Sequence, residues 1–119
     1  LRWVRGAGVI EVTLPWPPTV NTYYRNVKGK TLISEDGRAY RKAVAEQVLV
    51  QRVKRQEGSL RVLIEAYPPD RRVRDLDNLP KAILDSLTKA GVWADDSQID
   101  DLRIVRMPTS GGMVKVRVS

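Results

Sequence analysis

A chain of 119 residues, 42% of them hydrophobic, is expected to form one domain with a real core. It has neither Cys nor His, which excludes disulfides, thiolate nucleophiles, Ser-His-Asp triads and zinc held by His or Cys. A net charge of +7 points to a polyanion such as nucleic acid, against the plainer reading of a solvated basic surface.

Val9 to Leu14 alternates, with Ile10, Val12 and Leu14 on one side, and predicts a half-buried strand. Pro15-Trp16-Pro17-Pro18 should end it, because proline cannot donate to a ladder. Residues 19–34 read as a loop or loose hairpin around Lys28-Gly29-Lys30. A helix is predicted over 37–57, with Tyr40, Val44 and Val48 at i, i+4 and i+8. Ser34 or Asp36 is its expected cap, Gly58 its stop, and Arg52, Lys54 and Arg55 suit its C-terminal dipole. Arg61 to Tyr67 is the next strand, ended by Pro68-Pro69. A second helix is predicted from about Asn78 to Ala90, with Pro80 in its first turn and Gly91 as the stop. Its core face carries Leu79, Ile83, Leu87 and Ala90, and its opposite face Lys81 and Asp85. Leu102 to Met107 and Met113 to Val118 read as strands paired as a hairpin about Gly111-Gly112. The order β–loop–α–β–α–β–β predicts an α+β domain with helices packed on a mixed sheet. No apolar run approaches the roughly 18 residues of a membrane span. A soluble, cytoplasmic protein is expected.

Seven of the nine aspartates lie between Asp75 and Asp101. Carboxylates placed side by side stay ionised cheaply only with a cation among them. Oxygen ligands without nitrogen or sulfur select hard ions, Mg²⁺ or Mn²⁺. An acidic metal pocket in a basic protein is the charge pattern of a metal-dependent nuclease. Asp75 and Asp77, in an extended segment, point the same way and can share one ion. Asp95 and Asp96 follow the same helix. That helix is roughly 18 Å long, so both clusters reach one site only if the chain folds back after Gly91. A plainer reading makes Asp77 or Asn78 an N-cap and Asp95-Asp96 a solvated turn. Lys81 is either a surface i,i+4 partner of Asp77 or a cation aimed at a phosphate oxygen. An EF-hand fails for want of the loop's Gly and closing Glu.

Leu14-Pro15-Trp16-Pro17-Pro18, with Asn21 and Tyr24 after it, resembles the opening of the RusA-type Holliday junction resolvases. So does Arg74-Asp75-Leu76-Asp77-Asn78-Leu79-x-Lys81, continuing to Asp85-x-Leu87-x-Lys89-Ala90-Gly91-x-Trp93-x-Asp95-Asp96. The resemblance runs from about Val9 to Val118. Residues 1–8 fall outside it and read as an extension. It implies a homodimeric, Mg²⁺-dependent endonuclease that cuts four-way DNA junctions in recombination and repair, and would place the protein at the nucleoid. The family's essential carboxylates fall on Asp75, Asp77 and Asp96, its essential lysine on Lys81, and its acidic neighbour on Asp95. Arg74 matches a flanking basic residue expected to touch phosphate. Arg71, Arg72, Arg25, Lys28 and Lys30 are further expected DNA contacts; Tyr23 and Tyr24 either stack on bases at the branch point or pack under the loop, with Tyr24 the candidate kept for the DNA. Trp16 and Trp93 are expected in the core or at a dimer contact.

The expected reaction is phosphodiester hydrolysis to a 5′-phosphate and a 3′-hydroxyl, with Lys81 either stabilising charge on the scissile phosphate or orienting or deprotonating the attacking water. A junction with approximate two-fold symmetry calls for two symmetric sites. Two other classes fit the bare residues. One is a non-catalytic nucleic-acid-binding module. The other is a metal-dependent phosphatase, whose usual scaffold needs a larger, parallel-sheet chain.

Overall fold

A computed structural model describes residues 9–119. The expected extension over residues 1–8 lies outside the described residues. Strand β1, Ile10–Pro15, is driven by the predicted alternation, which buries Val12 and Leu14. Its last residue is Pro15, opposite Met113 at a sheet edge, where a missing N–H is tolerated. A single turn of helix, α1 (Val20–Tyr23), follows, and then a two-stranded hairpin, β2 (Tyr24–Val27) and β3 (Lys30–Ile33). Lys28 and Gly29 form its two-residue turn, both with positive φ (50° and 77°), which matches the twist of the strands.

Helix α2 spans Glu35–Val50, seven residues short of the predicted end. Ser34 caps it as expected, its hydroxyl accepting the Gly37 amide at 2.9 Å. Gly58 does not stop it. Arg52 takes a left-handed conformation (φ 54°), and the amides of Val53 and Arg52 close on the Val48 and Leu49 carbonyls at 3.0 and 3.2 Å. These two bonds are a Schellman closure with arginine where glycine is usual. Arg52, Lys54 and Arg55 therefore lie beyond the helix rather than in its last turn. Val53 is drawn back against the core, which favours the early end.

Strand β4 (Leu60–Tyr67) leads through a loop and a 3₁₀ turn (Leu76–Asn78) to α3 (Pro80–Lys89). A second 3₁₀ turn (Asp96–Gln98) starts β5 (Ile99–Arg106), and β6 is Met113–Val118. The sheet order is β1-β6-β4-β5. β5 and β6 do not pair, contrary to the predicted hairpin. β4 lies between them, parallel to β5 and antiparallel to β6. Its Val62, Leu63, Ile64 and Ala66 are all buried, so burial favours the centre of the sheet. The β4–α3–β5 crossover then demands parallel pairing. Residues 107–112 carry the chain across the end of β4, held by Met107 N to Ala66 O at 2.8 Å and Ser110 N to Pro68 O at 2.9 Å.

The result is the expected α+β arrangement of helices on a mixed sheet. Val12, Leu14, Val62, Ile64, Val114 and Val116 join Val44, Val48, Ile83 and Leu87 in one core. The other sheet face is polar, with Arg117 pairing Glu11 at 3.0 Å and Glu65 at 2.9 Å. Among the described residues no helix is long and apolar enough to cross a membrane.

Candidate active site

The loop entering the acidic motif closes on its own charges. The Arg72 amide donates to Asp70 Oδ1 at 2.9 Å, and Arg74 pairs with the same oxygen at 2.8 Å. These bonds, the amide's first, hold the Asp70 carboxyl below the usual range. The Arg74 guanidinium lies 5.7 Å from the Trp16 ring centre, and Arg106 donates to the Arg74 carbonyl at 2.7 Å. Arg74 is thus engaged as a strut within the loop, while Arg71 and Arg72 remain exposed. An open cleft of about 240 Å³ lies beside Asp75, walled by Trp16, Thr19, Val73, Arg74 and Asn78.

Asp75 is extended (φ −86°, ψ 133°), and its side chain makes no cap hydrogen bond. The N-cap of α3 is Leu79, so neither Asp77 nor Asn78 caps that helix. The plain capping reading therefore fails for these residues. Asp75 and Asp77 stand exposed at the head of α3, with Lys81 exposed in its first turn. Among the described residues Lys81 forms no ion pair with either Asp77 or Asp85.

The second acidic pair divides. Asp95 does cap: its carboxylate accepts the Ser97 amide at 3.1 Å, and Gln98 Oε1 accepts the Asp95 amide at 3.0 Å. The hydrogen bonds from Ser97 hold the Asp95 carboxyl below its ordinary range. Asp96 is held from behind. The Thr88 hydroxyl and Trp93 Nε1, the latter at 3.1 Å, both contact its Oδ1. Trp93 is wholly buried, so its indole is a fixed support.

Asp96 sits against Thr88 in the last turn of α3, whereas Asp77 precedes the first. The intervening ten-residue helix is about 15 Å long. After Gly91 (φ 83°) the chain buries Val92 and Trp93 and fixes Asp96 beside Thr88; only β5, beyond the acidic pair, runs back toward the helix head, where Arg106 meets the Arg74 carbonyl. Among the described residues no three carboxylates lie close enough to hold one metal ion. The folding-back expected after Gly91 therefore does not bring Asp95 and Asp96 to Asp75 and Asp77 within one chain.

Of the other expected contacts, Arg25, Lys28 and Lys30 project from the β2–β3 hairpin and are exposed. Tyr24 is half-buried at its base, edge-on to the Tyr23 ring at 4.9 Å. Sequence reasoning missed a buried network. Asp85, expected on an open face, is instead largely covered. Its Oδ2 accepts the Tyr23 hydroxyl and both Arg41 Nε (3.0 Å) and Nη2 (2.7 Å). Burial opposes the Asp85 charge, but the bonds from Tyr23 and Arg41 outweigh it and hold the carboxyl below its usual range. Burial pushes the Tyr23 phenol up, so it stays a donor. The sequence signal was only Asp85 one turn after Lys81.

The family model described as Endodeoxyribonuclease RusA matches residues 15–119. The crossover junction endodeoxyribonuclease RusA of Escherichia coli K12 is 46% identical over 113 residues, covering 92% of each chain. The protein of that name from Enterobacteria phage 82 is 47% identical over 119 residues, again covering 92% of each. A third relative, from Shigella sonnei, is 46% identical. Identity of this depth over 92% of the chain leaves one assignment: the chain belongs to the RusA family of endodeoxyribonucleases.

Proposed function

We propose that this protein is a divalent-metal-dependent endonuclease that resolves four-way DNA junctions by paired symmetric nicks, in recombination and repair. The observation that carries the reading is the head of α3. Two exposed carboxylates with no capping role precede an exposed lysine that has no ion-pair partner among the described residues, in a chain of net charge +7. The names of the relatives, crossover junction endodeoxyribonucleases, agree with it.

The donor set fits a hard cation. Asp75, Asp77 and Asp96 offer oxygen only, and Asp96 has the rear support from Thr88 and Trp93 that orients a metal ligand. Mg²⁺ is the expected ion, with Mn²⁺ as a substitute. Such an ion would supply a water of lowered pKa and neutralise charge on the phosphate.

Because one chain does not gather the three carboxylates, we assign each site to two chains. Asp75, Asp77 and Lys81 come from one protomer, and Asp96 from a second copy. Two such sites related by a two-fold axis match the approximate symmetry of a junction. Lys81 stabilises negative charge on the scissile phosphate, leaving a 5′-phosphate and a 3′-hydroxyl. The exposed cations Arg71, Arg72, Arg25, Lys28 and Lys30 steer and hold the DNA backbone.

The test is incubation of the pure protein with a labelled four-way junction, with Mg²⁺ or EDTA. Nicks at symmetric positions that a ligase reseals, formed only with Mg²⁺, are the expected result. Junction binding without any cutting in Mg²⁺ or Mn²⁺ would reduce the protein to a binding module.

A further inference from the structure

Lys81 and Asp85 are one turn apart on α3, the spacing at which opposite charges on a helix meet. They are near enough for the Lys81 charge to help keep Asp85 ionised. Yet they form no ion pair, because Asp85 is held elsewhere. One of its oxygens takes the Tyr23 hydroxyl and two nitrogens of Arg41, at 3.0 and 2.7 Å. Tyr23 is fully buried and Ser86 Oγ lies 3.4 Å from its hydroxyl, so the donor is fixed before any ligand arrives. Arg41 also donates to the Tyr23 oxygen at 2.8 Å, which locks the guanidinium plane. Lys81, by contrast, is exposed and lacks an ion-pair partner among the described residues.

Resting on the nuclease reading, we propose that Tyr23 and Arg41 are positioning residues that hold Asp85 away from Lys81, leaving the Lys81 ammonium free for phosphate. Without them the half-buried carboxylate needs another cation; Lys81 and Lys89 stand four residues to either side on α3, and of the two it is Lys81 whose charge already acts on Asp85. A lysine so captured loses effective charge and reach toward DNA. The network also ties α1 and the hairpin to α3, so the basic finger and the acidic motif are held in one frame.

The claim is tested by single-turnover cleavage of a four-way junction at saturating protein and Mg²⁺. Arg41→Ala should slow cleavage about tenfold, the bias of a charge-assisted bond to a largely covered carboxylate, with junction affinity unchanged. Asp85→Asn removes the competing charge and should stay within about threefold of wild type, since an amide holds the lysine far more weakly. The double variant Arg41→Ala/Asp85→Asn should recover the Asp85→Asn rate. A double variant as slow as Arg41→Ala, or slower, would overturn the proposal and leave a purely structural network. If Arg41→Ala does not fold, Tyr23→Phe removes one donor while keeping the packing, and its defect must likewise vanish with Asp85→Asn.

A crystal structure of the Arg41→Ala or Tyr23→Phe protein gives a readout independent of cutting. Lys81 Nζ should lie within about 4 Å of the Asp85 carboxylate, the range of an ion pair. Continued separation of the two in both variants would overturn the proposal. A wild-type protein that fails to cut would overturn the nuclease reading instead, and this distance would then decide the present one alone.

Discussion

Asp77 and Lys81 lie four positions apart, and the proposed reaction gives them different roles. Asp77→Asn should abolish junction cutting while leaving binding intact or tighter, since removing negative charge from a DNA-facing surface favours a polyanion. Gel-shift and cleavage assays on one protein sample check both halves, and wild-type-like nicking would remove Asp77 from the ligand set. Lys81→Ala should slow the single-turnover rate on the order of 10²–10³, as for loss of a preorganised charge donor. A mere phosphate contact would lower affinity and spare that rate. Asp85 carries a pH signature. Its folded value lies below its unfolded one, so its stabilisation is present above the unfolded value of about 3.9 and is lost as pH falls through the folded value. The Tm advantage of wild type over Asp85→Asn should therefore be full at pH 7 and vanish in strong acid; a difference constant with pH would contradict it. At this scale the acidic motif was legible because its residues are neighbours in sequence. The partners of Asp85 were not, because Tyr23 and Arg41 are 62 and 44 positions away. The separate fates of Asp95 and Asp96 were hidden for a related reason. One side chain turned to a local cap and the other to a buried indole.

At the scale of elements, periodicity located most strands and both long helices. It failed where a boundary depended on one backbone conformation or on pairing at a distance. Tyr40, Val44 and Val48 were all buried as the 3.6-residue repeat requires. The end of α2, however, rests on Arg52 adopting a positive φ, which nothing in its side chain announces. An L-residue there costs about 1 kcal/mol relative to glycine in the folded state, partly offset by glycine's greater freedom when unfolded. Arg52→Gly should thus stabilise the protein by about 0.5 kcal/mol in urea unfolding, while a loss of 1 kcal/mol or more would show that the arginine side chain contributes directly. The β5–β6 error has another cause. Gly111-Gly112 is a sound turn signal, but local turn chemistry cannot see that β4, with five buried apolar residues, is drawn between the two strands. The β2–β3 hairpin carries the exposed Arg25, Lys28 and Lys30, which the proposal sets against the DNA backbone. Reversing Lys28 to Glu should weaken junction binding across sequences and reduce the slope of log affinity against log salt by about 1, if it contacts one phosphate. An unchanged slope would take the hairpin off the DNA.

For the whole molecule, the separation of Asp77 from Asp96 by the length of α3 is the feature that shapes the account. One chain places Asp75 and Asp77 at one end of α3 and Asp96 at the other, and in the proposed site two antiparallel copies bring opposite ends together. Sedimentation should show a species of about 27 kDa, twice the 13.5 kDa chain mass. The direct test of the two-chain site mixes inactive subunits. Asp77→Asn and Asp96→Asn proteins, each dead alone, are co-expressed and the mixed dimer is isolated by orthogonal tags. If each site takes Asp77 from one chain and Asp96 from the other, the mixed dimer has one site with both carboxylates intact and one with both neutralised. It should nick one strand of a four-way junction in Mg²⁺ at close to the wild-type first-cut rate. If each site lies within one chain, every site in the mixed dimer is damaged, and the absence of any nicking would contradict the account.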